Sequence, residues 1–248
     1  MDRRPQRVNG VAVPYDTPVS ELRAHLHPPG PHAWAACVAL GQHPGRDAFT
    51  LLVELAVSSD WRYRHAAVEA LAAHPLGREA AALLGARFGD PSPYVTRAAC
   101  RAAAALGLQG LHDAVAALLR ADEVATRAEA LRALTALWQP TDFAPVIARF
   151  RTDPAEEVRR QAAWTLRANT SADTWRRLFD AWRRDPVPRH RTWAVELAAA
   201  IGAREVEQQL RELVEDPDGH VRKAARDALR RLGEARAASP GGLVGDAP

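Results

Sequence analysis

Apolar residues recur along this chain at helical spacing, in short blocks broken at regular intervals by a polar turn. Residues 216–233 show the order most fully: Asp216-Pro217-Asp218-Gly219-His220-Val221-Arg222, then Ala225, Ala228, Leu229 and Leu232, then Gly233. Ala225, Leu229 and Leu232 fall on one face of a helix and the charged residues on the other. Six aspartates mark the start of such blocks: Asp60, Asp90, Asp122, Asp153, Asp185 and Asp216. Their intervals are 30, 32, 31, 32 and 31 residues, and four of the six are followed directly by proline. A period of that length predicts stacked helical repeats. Each aspartate is expected to cap the helix after it, with proline at the first helical position, where the N–H needs no partner. Glycine at the far end is expected to take the left-handed conformation and stop the helix.

The pattern predicts Asp-led helices near 61–73, 92–106, 123–137, 155–168, 187–201 and 218–232. The partner helix before each is expected near 47–57, 77–88, 110–120, 142–151, 171–183 and 203–215. Upstream, 19–26 and 32–40 read as a degenerate first pair closed by Gly41, as terminal repeats often are. Residues 1–18 are expected to form an extended arm and 19–233 a single solenoid. Residues 234–248, rich in Gly, Pro and Ala, are expected to be a disordered tail.

Composition supports an all-α fold. The chain is 47% apolar and 25% charged, an ordinary soluble balance. Alanine runs such as 102–105 favour helix and close helix packing, and Val and Ile never alternate as a strand requires. The formal charge of +3 is a small difference between 33 basic and 30 acidic residues, so net charge alone does not mark a nucleic-acid binder. Nearly all the basic residues are arginine, Lys223 being the only lysine.

The chemical motifs are few. Cys37 and Cys100 have no CxxC spacing, so neither a disulfide framework nor a zinc ribbon is indicated. His25, His27, His32 and Cys37 lie close together but match no common metal spacing. Nucleotide-binding loops, the nucleophile elbow and the zinc-protease helix are all missing, and His112-Asp113 is a lone dipeptide. No catalytic residue, metal or cofactor is expected. Arg3, Arg4 and Arg7 have no apolar run behind them, so no signal peptide is read. No stretch approaches the length of a membrane span. The expected location is the cytoplasm.

The pattern D-P-x-x-x-V-R-x-x-A-x-x-A-L-x-x-L-G resembles the HEAT repeat, and more closely the short bacterial subtype named after phycobilisome bilin lyases. Asp153-Pro154, Val158-Arg159, Ala162 and Leu166 carry it, as do Asp216-Pro217, Val221-Arg222, Ala225, Leu229 and Gly233. Asp90-Pro91 carries it with Thr96 in place of arginine, and Asp185-Pro186 with His190 in place of valine. Asp60 and Asp122 lack the proline, and their arginines come earlier. The resemblance implies a right-handed α-solenoid of about six helix pairs, with the Asp-led helices lining its concave side. It also implies a ladder between adjacent repeats, joining Asp60, Asp90, Asp122, Asp153, Asp185 and Asp216 to Arg64, Arg127, Arg159, Arg191 and Arg222. Bilin lyases and alkylpurine DNA glycosylases use related helices, but no catalytic residue carries over onto this chain.

Residues one, five and eight positions after the ladder arginine share one helix face. They give a basic centre of Arg97, Arg101, Arg132, Arg160 and Arg167 around Trp164, with Glu69 and Glu196 towards the ends. Arginines around an exposed tryptophan serve a protein interface, or hold phosphates and stack a base; a merely solvated face is the third reading. The acidic ends favour a non-catalytic adaptor that binds a protein partner, with nucleic acid as the alternative. Trp175 and Trp182, seven residues apart, read as core.

Overall fold

The computed structural model describes residues 10–171 and 173–238. Among these, the capped amphipathic blocks become fourteen α-helices and no strand. Packing divides the chain between Ala168 and Asn169 into two units. The first carries α1 (Val19–His25), α2 (Pro31–Gln42), α3 (Arg46–Leu55), α4 (Trp61–Ala73), α5 (Ala81–Ala86), α6 (Pro93–Ala105), α7 (His112–Ala117), α8 (Val124–Leu137), α9 (Phe143–Thr152) and α10 (Glu156–Ala168). The second carries α11 (Trp175–Trp182), α12 (Pro188–Ile201), α13 (Glu207–Leu213) and α14 (Gly219–Ala238). Residues 1–9 of the expected arm and 239–248 of the expected tail lie outside the described residues.

In the first unit α2, α4, α6, α8 and α10 stack one on the next, each backed by the shorter helix before it. Alanine makes this layer thin. Ala66, Ala67 and Ala70 of α4 are buried, as are Ala98, Ala99, Ala102 and Ala103 of α6. Gly41 belongs to the same contact and does not close α2. A Cβ there would lie 2.7 Å from the Ala70 carbonyl oxygen, so glycine is what lets α2 approach α4 this closely. The second unit is built on larger side chains. Trp175, Leu178, Phe179 and Trp182 are buried, with the Trp182 ring 5.6 Å from that of Trp193.

Two local expectations change. Only Asp60 is the residue that precedes its helix, accepting the Arg62 N–H. Asp90, Asp153, Asp185 and Asp216 sit two residues further out, accepting the N–H of Ser92, Ala155, Val187 and Asp218 at 2.8–3.0 Å. The helices begin three residues after each aspartate, so Pro91, Pro154, Pro186 and Pro217 lie inside an Asx turn, where their fixed φ suits the central position. Gly202 does end α12 in the left-handed conformation, at φ 71°. Gly233 ends nothing: α14 continues to Ala238, and Arg230 reaches Glu234 at 3.1 Å across that turn, an i,i+4 pair that supports continued helix.

An arginine ladder joins some repeats. Arg64 donates Nε and Nη2 to Asp90, both at 2.8 Å. Arg127 grips Asp153 at 2.9 and 3.0 Å, and Arg191 grips Asp216 at 2.8 Å twice. The free end of each guanidinium ties down the turn before its own helix. Arg127 Nη1 donates to the carbonyls of Ala121 and Asp122, and Arg159 to those of Asp153 and Pro154. Arg222 does the same to Asp216 and Pro217.

Counting six residues back from each arginine therefore gives the true repeat register. The count reaches Asp153, Asp185 and Asp216, but it reaches Ser58 before Arg64 and Ala121 before Arg127. Asp60 and Asp122 are thus outside the ladder: Asp60 pairs with Arg62 at 2.7 Å, and Asp122 is exposed. Burial works against charge on Asp90 and Asp153, but hydrogen bonds from arginine and backbone N–H outweigh it and hold both carboxyls below the usual range.

Candidate interaction surface

The second helices of the first unit carry the residues read as the basic centre. Arg97 on α6 donates from Nη1 to both carboxylate oxygens of Glu123 at 2.7 Å. Arg101 meets Glu69 on α4 through Nε at 2.9 Å and Glu129 on α8 through Nη1 at 3.2 Å. Arg132 donates to the same Glu129 oxygen at 2.9 Å. Three of the five arginines expected to form an open basic groove are therefore paired with carboxylates, Arg97 and Arg101 across neighbouring repeats and Arg132 within its own helix. Stacking brings α4, α6 and α8 within side-chain reach, and each carboxylate then meets a guanidinium from an adjacent repeat.

Glu123 and Glu129 are the residues sequence reasoning missed. Glu129 is two positions past the ladder arginine, off the one, five and eight positions of the exposed face, and it is buried. Its signal was the i,i+3 step to Arg132. Hydrogen bonds from Thr126 and Arg97 outweigh burial and hold Glu123 below the usual range.

Arg160 and Arg167 lie exposed on α10. Trp164 between them is 44% exposed, with the Arg167 guanidinium carbon 5.9 Å from its ring centre. Glu196 is exposed on α12 in the second unit.

A chain of rings crosses the first unit, and the expected surface did not include most of it. The Trp34 ring lies 4.9 Å from His65, His65 lies 6.4 Å from Tyr94, and Tyr94 stacks on Trp61 at 5.0 Å. Arg97 closes on Tyr94, its guanidinium carbon 4.7 Å from the ring centre. Tyr94 is 52% and Trp61 39% exposed. Burial pushes the His65 imidazole pKa down, and Arg101 and Arg97 add to that against Glu69. Beside these rings is a recess of about 440 Å³ lined by Trp34, Val38, Gln42, His65, Glu69, Ala70, Ala73 and Arg101.

Other candidate chemistry is structural. Cys37 and Cys100 are free and buried, and burial pushes both thiols up to about 12. His112 bridges Asp113 at 2.8 Å and the buried Asp142 at 2.9 Å. Burial opposes charge on His112, but the hydrogen bonds to these two carboxylates outweigh it and raise its pKa. Trp175 and Trp182 are core residues. No helix among the described residues is long and apolar enough to cross a membrane.

A stack of capped helix pairs held by a polar ladder defines a helical-repeat protein. The HEAT repeats family matches residues 19–90, 80–167 and 176–240, and the chain belongs to it. No curated protein matches it by sequence. Among solved structures it is similar to YibA of Escherichia coli, at 16% identity and TM-score 0.64 over 90% of this chain and 85% of that one. It is also similar to the complex of CpcE and CpcF of phycocyanin lyase from Nostoc sp. PCC7120, at 19% identity and TM-score 0.53, covering 88% and 95%. A designed armadillo repeat protein in complex with the peptide (KR)4 aligns at 17% identity and TM-score 0.50, covering 87% and 100%. At these identities the likeness is one of fold.

Proposed function

We propose that this chain is a non-catalytic, cytoplasmic adaptor that binds a protein partner through the exposed face of its second helices. The observation that carries this reading is the pairing of Arg97, Arg101 and Arg132 with Glu123, Glu69 and Glu129. A phosphate backbone laid along that face would have to displace carboxylates already in place and would meet their charge. What the face offers instead is exposed Trp61, Tyr94 and Trp164 beside oriented arginines, the residue types that dominate protein interfaces. The designed armadillo neighbour was solved with a peptide bound, which supports a peptide-sized ligand for this architecture. Two buried free thiols suit a reducing compartment.

The test is the salt response of duplex DNA binding. Five arginines gripping phosphate would give a log–log slope of about −4 to −5, at about −0.9 per phosphate. With three of them already paired, the expected slope is no steeper than about −2. Tight binding with the steeper slope would overturn the adaptor reading in favour of a nucleic-acid binder. Once a protein partner is in hand, Trp164→Ala is expected to weaken binding by about 2 kcal/mol.

A further inference from the structure

We propose that the recess between α2, α4 and α6 receives an uncharged aromatic or branched aliphatic side chain from a partner segment that crosses Trp61 and Tyr94. The inference rests on the protein-binding reading and narrows it to one subsite and one partner chemistry.

Size comes first. At about 440 Å³ the recess falls within the range of ligand-binding clefts and exceeds what one or two bridging waters occupy. Its lining combines apolar Trp34, Val38, Ala70 and Ala73 with the polar groups of Gln42, His65, Glu69 and Arg101. Ala73, the last residue of α4, lines the recess and is itself exposed.

Charge decides the occupant. Glu69 already accepts from Arg101 Nε at 2.9 Å, and Arg101 Nη1 already reaches Glu129. Arg97, on the next turn of α6, is held by both oxygens of Glu123. His65 is kept neutral by burial, with its Nε2 3.7 Å from Glu69. An acidic or phosphorylated side chain entering here would find no unpaired cation, and a basic one no unpaired carboxylate. Either would lose its hydration with no free opposite charge to offset it. An apolar side chain loses nothing of that kind and covers Trp34 and Val38 from water.

Continuity supplies the path of the segment. From Trp34 the rings run through His65 and Tyr94 to Trp61, so the recess opens onto an aromatic strip that Trp61 and Tyr94 leave substantially uncovered. Exposed Trp and Tyr beside a pocket are the arrangement in which a few interface residues dominate affinity.

The experiment selects a random-peptide display library against the full chain, then measures the enriched peptides against three variants. Expected is enrichment of uncharged peptides with Trp, Phe or Leu at one fixed position. Ala73→Trp fills the recess without removing a core group and should weaken binding at least about tenfold. Ala73→Leu should give an intermediate loss, and Trp61→Ala a loss of about tenfold or more. Thermal melts of each variant confirm that the fold is kept. Enriched peptides dominated by Lys, Arg, Asp or Glu, or peptides that bind Ala73→Trp as tightly as the parent, would overturn the recess while upholding a peptide-binding protein. Failure to enrich any peptide would also overturn the recess. Failure of the adaptor reading itself is distinguishable, because it shows as steep, salt-dependent DNA capture in a parallel titration of the same preparation.

Discussion

The junctions α4–α6 and α6–α8 lie side by side in the first unit, yet they are joined by different polar groups. Between α4 and α6 the buried bond is the ladder: Arg64 grips Asp90, whose side chain is 1% exposed. Between α6 and α8 both ladder partners are missing together, since Thr96 occupies the arginine position and Ala121 the aspartate position. In their place stands the outer pair of Arg97 and Glu123, whose carboxylate is 44% exposed. Beyond it the ladder resumes with Arg127 and Asp153. Losing both members of a buried pair leaves no orphaned charge, whereas losing one would leave a guanidinium desolvated and unmatched. The paired absence is thus self-consistent, and it leaves the polar links of that junction to Arg97–Glu123 and Arg101–Glu129.

The largest effect that would sharpen this contrast is Asp153→Ala. It strands the buried Arg127 guanidinium and removes the turn bond to Ala155, and should cost about 3–5 kcal/mol in urea unfolding. A cost below about 1 kcal/mol would make the ladder decorative.

Next is the attempt to complete the ladder. Thr96→Arg alone and Ala121→Asp alone should each be neutral or destabilising, and the double variant should recover through a favourable coupling of about 1–2 kcal/mol in a double-mutant cycle. Additive behaviour would show that the α6–α8 junction is not a gap of the proposed geometry.

A third test uses pH and a different inter-helix link. The raised pKa of His112 means that its contribution is fully present below the unfolded value of about 6.5 and is lost as pH rises through the higher folded value. Asp90, Asp153 and Asp216 behave oppositely: their depressed values give stability above the ordinary carboxylate range that is lost as pH falls through the folded values. His112→Gln should therefore flatten the stability profile on the neutral-to-alkaline side and leave the acid limb in place. An unchanged alkaline slope would remove His112 from the account.

The smallest effects belong to the exposed face. Glu123→Ala should cost about 0–1 kcal/mol, as partly exposed pairs do, and Arg160→Ala should stay within about 0.5 kcal/mol. Equal losses for Glu123→Ala and Asp153→Ala would erase the distinction between the two kinds of junction.

Much of the helix layout was legible because each element carries its own signals. The block at 61–73 coincides with α4, that at 92–106 differs from α6 by one residue at each end, and that at 187–201 differs from α12 by one residue at its start. Start and stop residues are local, so a single chain suffices to read them. The ladder register was not fully legible, because Asp60 and Asp122 keep the thirty-odd-residue period while standing two and one positions away from Ser58 and Ala121. A nearby acidic residue mimics the motif in spacing without its geometry. The character of the exposed face was misread for another reason. Whether Arg101 is available depends on Glu69 and Glu129, some thirty residues away on either side, and that pairing exists only once the helices stack.

The two thiols turn this architecture into its own reporter. Cys37 on α2 and Cys100 on α6 are fully covered and held protonated by burial, so alkylating reagents should ignore them while the helices stay packed. Each becomes reactive only when its own stretch of the stack opens. The unmodified protein can thus be timed, thiol by thiol, as it breathes: a labelling rate at Cys37 reads the end of the first unit, and one at Cys100 reads the helix shared by the two unlike junctions.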